Sequence, residues 1–266
     1  MRHTPSKCSA TRANTLLCRV ALLICLACAS PSALAQTVAW RIVKGIEPFQ
    51  SVIVAPNINV TLVMDDEASL LPTDVARRIN KRNGKVCVVK GEPSVVKAVD
   101  CHVENGTLSL SAKKFKYRRS RRIDIYVLCD STLRLIHGTS GGNIQTRGCL
   151  RLADVVIKAD FAQDIHLAAR AQSVRIIANN HSSIRLTGKL NSVDASLTAA
   201  SKLNTSEAEV ASLHLTAANE CHANITASMS CAIVATLATK VTLTTNNSST
   251  VTVDKDDISH VRIDRQ

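Results

Sequence analysis

Between residues 155 and 263 a three-residue unit of the form apolar, variable, apolar returns every nine or ten residues. It opens with Val155-Val156-Ile157, Ile165-His166-Leu167, Val174-Arg175-Ile176 and Ile184-Arg185-Leu186. It closes with Val241-Thr242-Leu243, Val251-Thr252-Val253 and Val261-Arg262-Ile263. Only the step from Ile233 to Val241 is short, at eight residues. Strand side chains alternate between faces, so the outer members of each unit share one face and the middle member takes the other. The outer positions are almost all Val, Ile, Leu or Ala, and the middle ones mostly His, Arg, Asp, Asn or Thr. One face is therefore buried and the other wet. A sandwich of hairpins alternates in the same way, but a period held over twelve units reads better as stacked coils. Two units make a coil of 19 to 20 residues, and stacked coils place parallel strands beside one another. An aromatic content of 2% suits a narrow interior filled by aliphatics.

The expected fold is thus all-β: a single-stranded parallel β-helix, or β-solenoid, with regular coils over 131–266 and strands and hairpins over 36–130. Its corners should be polar and small, as in Gly138-Thr139-Ser140-Gly141-Gly142-Asn143, Asn179-Asn180-His181-Ser182-Ser183, Ala217-Ala218-Asn219-Glu220 and Asn246-Asn247-Ser248-Ser249. Glycine reaches positive φ without strain, and asparagine tolerates it. Upstream, residues 40–63 alternate around Pro56-Asn57, which reads as two strands and a turn. Residues 70–81 suit a helical turn or an irregular loop, and residues 86–89 and 95–103 return to a strand pattern. Asn105-Gly106 signals a hairpin, and residues 123–128 form a further strand.

Residues 1–35 stand apart. Arg2, Lys7, Arg12 and Arg19 form a basic leader without a carboxylate, an apolar run follows over 20–29, and Ala33-Leu34-Ala35 makes a small-x-small cleavage signal. A secretory signal peptide is predicted, leaving 36–266 as one domain in the periplasm, at the cell surface or outside the cell. Lipidation at Cys28 is the alternative, although Cys25 stands where lipoprotein signals usually carry Leu. Cleavage removes four cations and leaves 29 Lys and Arg against 21 Asp and Glu. Seven of those cations fall in one decapeptide: Lys113, Lys114, Lys116, Arg118, Arg119, Arg121 and Arg122. With Phe115 and Tyr117 among them, they form a candidate patch for an anionic envelope polymer, a glycan or a lipid headgroup. A solvated hairpin tip is the plainer reading. Nucleic acid is not an expected partner of an exported chain, and self-association stays open.

Six cysteines lie beyond the leader: Cys87, Cys101, Cys129, Cys149, Cys221 and Cys231. An oxidising compartment favours disulfides among them, with buried free thiols as the alternative. Cys129 and Cys149 lie 20 residues apart, about one coil, which would stack them. Cys87 and Cys101 flank Lys90-Gly91-Glu92-Pro93, a turn that would bring their strands together. Cys221 and Cys231 are one unit apart and should sit on different sides of the coil.

From Gly45 to Phe49 into Val52-Ile53-Val54, at Asn57-Ile58-Asn59-Val60, at Val103-Glu104-Asn105-Gly106-Thr107-Leu108 and from Leu133 to Gly142, the chain resembles the head-GIN-domain family. That family is described as auto-transporter adhesin heads of bacterial envelopes. Asn57 departs from the pattern by standing where the family has glycine. The resemblance implies a parallel β-helix like that of pectate lyases, without recognised catalytic residues.

The residues themselves point the same way. Polysaccharide lyases and hydrolases on this scaffold need carboxylates stacked on adjacent coils, and one coil after Asp164 comes Ser183. His166, Arg185, Asn204 and Asn224 should align on one outer face, and Arg175, Asp194 and His214 on another. Asp254, Asp256 and Asp257 read as a solvated corner. No catalytic, metal or cofactor site is expected. The predicted function is a non-catalytic envelope or adhesion-type binding module; the alternatives are a carbohydrate-active enzyme and a purely structural envelope protein.

Overall fold

The computed structural model describes residues 38–43, 46–78, 87–112 and 123–266. The predicted leader and the basic decapeptide at 113–122 lie outside them. The regular part begins with β8 (Leu135–Gly138) and β9 (Asn143–Thr146), followed by β10 (Leu150–Ala159), β11 (Asp164–Ala178), β12 (Ser183–Thr198) and β13 (Lys202–Ala218). It continues through β14 (His222–Ala227), β15 (Ser230–Thr236), β16 (Lys240–Thr245), β17 (Thr250–Lys255) and β18 (His260–Arg265). Every pairing among these strands is parallel, with partners 18 to 21 residues apart, as stacked coils require. β11, β12 and β13 each run through a bend, so their two halves belong to different faces of the coil. The outer members of the units from Val155 to Leu243 are buried, filling one continuous aliphatic core. Val253 and Ile263, in the last coil, remain more than a third exposed.

One corner repeats with a strict backbone rule. Phe161 and Ala162, Asn180 and His181, Ala199 and Ala200, Asn219 and Glu220, and Leu237 and Ala238 all adopt positive φ between 52° and 64°. In the first four pairs the N–H of the second residue donates to the next pair's first carbonyl one coil later, as from Ala162 to Asn180 and from His181 to Ala199, both at 2.8 Å. Left-handed backbone is costly for these residues, and the stacked hydrogen bonds hold it in place. The residue that follows each pair is buried: Gln163, Ser182, Ser201, Cys221 and Thr239, continued by Ser259 in the last coil. Ser182, Ser201 and Thr239 donate their hydroxyls to the carbonyl three residues back, at 2.6, 2.7 and 2.8 Å, and so close the corner. The segment Asn246 to Ser249 belongs to the opposite bend, between β16 and β17, and not to this corner.

The N-terminal region departs from coil-after-coil order. β2 (Ser51–Val54) pairs in parallel with both β6 (Thr107–Ala112) and β8, and β3 (Asn59–Met64) with both β7 (Ile123–Cys129) and β9. The coil made earliest in the chain is therefore inserted between two later ones. Around it, β1 (Ala39–Val43), β4 (Cys87–Gly91) and β7 form an antiparallel layer, and β5 (Val99–Glu104) forms a hairpin with β6 through Asn105 and Gly106, both at positive φ. Residues 95–98, expected as strand, lie in helix α2 (Pro93–Ala98); Pro93 opens it, where its missing N–H costs nothing. The 65–76 stretch carries a 3₁₀ turn (Asp65–Leu70) and helix α1 (Thr73–Ala76). Asn57 lies at φ 64°, a left-handed backbone that asparagine tolerates and glycine reaches without strain.

All six cysteines are thiols in this structure. The expected stacking of Cys129 on Cys149 fails because β3 lies between β7 and β9, which puts the two about two strand spacings, roughly 9.6 Å, apart. Cys221 sits at the left-handed corner and Cys231 beside the opposite bend, so they are not partners. Cys87 and Cys101 are joined by β4, α2 and β5, not by a tight turn, yet their Sγ atoms approach to 3.8 Å.

Candidate functional site

Both rows expected on the outer faces exist. His166, Arg185, Asn204, Asn224, Thr242 and Arg262 are register partners on successive coils, and so are Arg175, Asp194 and His214. Neither is a free binding row. Arg185 is held by Glu207 at 2.7 Å, Arg262 by Asp264 at 2.9 Å, and His214 by Asp194 at 3.0 Å.

The more distinctive row was not expected. Each buried corner residue is followed by the first outward position of the next strand, and these positions stack as Asp164, Ser183, Lys202, His222, Lys240 and His260. Toward the N-terminal coils the same column continues through Asn143 and Asn59 to Asp124, with Asn59 Nδ2 donating to Asp124 at 3.2 Å. One column thus changes from acidic and amide at one end to four basic side chains at the other, each about 4.8 Å from the next. All four are exposed. Among the described residues no ion pair forms at Lys202 or Lys240. His222 and His260 direct Nδ1 at the carbonyls of Glu220 and Ile258, at 3.1 and 3.3 Å, which leaves Nε2 facing outward. The signal was present in the sequence as a motif: Ser201-Lys202-Leu203, Cys221-His222-Ala223, Thr239-Lys240-Val241 and Ser259-His260-Val261, a small buried residue, a base, then an aliphatic. It escapes a reading that follows only the middle positions of the triplets.

Beside this row, along the left-handed corner, runs a depression of about 450 Å³ lined by His181, Ala199, Ala200, Glu220, Leu237 and Ile258 among others. Leu237 and Ile258 are half exposed or more, and so is Phe161 on the same corner. A second concavity of about 470 Å³ at another bend includes Arg170, Lys189 and Glu209, and there Lys189 lies 3.9 Å from Glu209. The first site therefore sets Lys202 and Lys240 beside an exposed apolar edge that also carries Glu220.

The acidic groups form no second site. Asp256 accepts from Ser259 N at 2.9 Å and from Leu237 N at 2.6 Å. Its contact with Ser259, then the Leu237 N–H, lowers its pKa, so it works as a corner cap. Burial works against charge on Asp160, but hydrogen bonds from Asn179 and the His137 ring, with Lys158 beside it, prevail and hold its carboxyl below the usual value. No three His, Cys, Asp or Glu among the described residues converge to hold a metal ion. No described helix is long and apolar enough to cross a membrane.

A solenoid that carries its polar chemistry on outward strand faces is a display scaffold. The chain belongs to the family described as "Putative auto-transporter adhesin, head GIN domain", whose model matches residues 76–248. A search of curated proteins found no match. Among solved structures, a putative adhesin from Bacteroides fragilis superposes with a TM-score of 0.69 at 12% identity, over 86% of this chain and 97% of that one. A putative adhesin from Parabacteroides distasonis gives 0.61 at 9% identity, and a protein from the same species described as a "Putative lipid binding protein" gives 0.57 at 10%. Both likenesses cover 86% of this chain and 97% of the other. At these identities the likeness establishes the fold alone. The family and these relatives are described as adhesins or binding proteins, not as enzymes.

Proposed function

We propose that this adhesion-type module is exported to the cell envelope and grips anionic groups along the row Lys202, His222, Lys240 and His260. The observation that carries this reading is that, among the described residues, no carboxylate pairs with Lys202 or Lys240, while the neighbouring row has Arg185 and Arg262 answered by acids. Cations repeated at strand spacing suit a surface or polymer that repeats its negative charge, whether phosphates of lipid headgroups or carboxylates of an acidic glycan. The apolar corner beside the row favours the amphiphilic source. The basic segment at 113–122 is proposed as a second contact for the same anions.

Cosedimentation with phosphatidylglycerol vesicles, phosphatidylcholine vesicles and soluble alginate tests the reading. Salt-sensitive binding to the anionic vesicles alone supports a headgroup ligand, and binding to alginate as well supports the shared carboxylate or phosphate chemistry. Equal binding to neutral and anionic vesicles, or none to any anion, overturns it. New unsaturated or reducing ends in the alginate would restore the enzyme alternative.

A further inference from the structure

Cys87 opens β4 and is fully buried, whereas Cys101 on β5 keeps partial access to solvent. The Cys87 thiol points its proton at Cys101 Sγ, 3.8 Å away. Arg41 on β1 completes the group: its Nη2 donates to the Val99 carbonyl, two residues from Cys101. Its Nε is buried with no hydrogen-bond partner. Contact with the Cys87 thiol, aided by the Arg41 charge against the pull of burial, lowers the Cys101 pKa. The same contact, with burial, pushes Cys87 well up. The pair is thus asymmetric: the partly exposed Cys101 gives up its proton more readily than the buried Cys87.

From this arrangement we infer that Cys87 and Cys101 form an oxidisable dithiol in which Cys101 is the attacking sulfur. The co-reactant is a disulfide-bearing oxidant. The Cys101 thiolate attacks one of its sulfurs and expels the other as a thiolate, forming a mixed disulfide. Cys87 gives its proton to that departing thiolate and attacks Cys101 Sγ, expelling the second oxidant sulfur, which takes up a proton from water. Two electrons pass from the protein thiols to the oxidant's disulfide, and one S–S bond joins Cys87 to Cys101. Because β4 belongs to the antiparallel layer and β5 to the hairpin on β6, the bond staples the two parts of the N-terminal cap together. Three of the remaining described thiols provide internal controls. Burial raises Cys149 and Cys221, and burial alone drives Cys231 to about 12, so these sulfurs are poor nucleophiles. The inference stands apart from the anion-binding reading.

The test is incubation of the reduced, folded protein with oxidised glutathione, quenching at intervals into denaturant with N-ethylmaleimide so that every remaining thiol is alkylated, and peptide mapping. Peptides carrying Cys87 and Cys101 should become linked, while Cys149, Cys221 and Cys231 stay alkylated, and the linked protein should melt at a higher temperature. C87A should accumulate a glutathione adduct on Cys101, and C101A should leave Cys87 unmodified. Should either variant fail to fold, the wild-type time course still decides, since an adduct on the Cys101 peptide must precede the link. Alkylation of both cysteines at all times, linkage of either to another cysteine, or an adduct appearing first on Cys87 overturns the inference.

Discussion

The two halves of the solenoid solve the same stacking problem differently. From β8 onward, chain order equals spatial order, each coil resting on the one before it. In the N-terminal part the coil of β2 and β3 is laid between later coils, and the end is closed by antiparallel strands and a helix. The charge changes later than the topology: one outward column carries Asp124, Asn59, Asn143 and Asp164, passes through Ser183 on β12, and only then carries Lys202, His222, Lys240 and His260. The uniform half varies its surface freely because its core and corner rules are carried by other positions. The irregular half spends its sequence on closure.

If the regular coils depend on nearest neighbours, a cavity there should be costly. Leu215→Ala, at a position with no exposed surface, should lose about 2–5 kcal/mol in chemical denaturation. A loss under 1 kcal/mol would show that the coil collapses around the void. Gly188 marks a bend within β12, at φ 100°, where an added Cβ would lie 2.3 Å from the Ala169 carbonyl oxygen of the coil below. Gly188→Ala should therefore cost about 1–3 kcal/mol. The corner rule is tested by Ser201→Ala, which removes a hydroxyl that closes a corner and should cost about 1 kcal/mol; no change would mean that the left-handed pairs hold the corner unaided.

The smallest effect concerns Asp160, which ties successive coils together through His137 on β8 and Asn179 beside the Asn180–His181 corner. Its folded pKa is lowered, so its contribution is complete above the ordinary carboxylate range and is lost as pH falls through the lowered value. Asp160→Asn should flatten the stability profile in that acidic range and leave the slope near neutrality unchanged.

This division also explains what was legible beforehand. The triplets announced the coils because each carries its own inside and outside, and the rows of His166 and Arg175 followed from counting. Non-local insertion left no periodic trace, so Cys129 and Cys149 looked like neighbours until β3 came between them. Val95 to Ala98 alternates poorly and is short, and Pro93 with tertiary contact made it helix. The cation row was visible in principle, but only to a reading aligned on the buried corner residue, since coil lengths vary between 18 and 21 residues and blur any fixed step.

In the proposed function, the C-terminal half of the column makes the anion contact. The direct measurement compares the affinity of wild type, Lys202→Ser/Lys240→Ser, and a chain with the seven cations of 113–122 replaced by Ser for phosphatidylglycerol vesicles over a range of salt. The row variant should bind about 30-fold more weakly, at about fivefold per lysine, with a flatter salt dependence. Affinity and salt slope unchanged in the row variant, with binding lost only in the 113–122 variant, would contradict the claim.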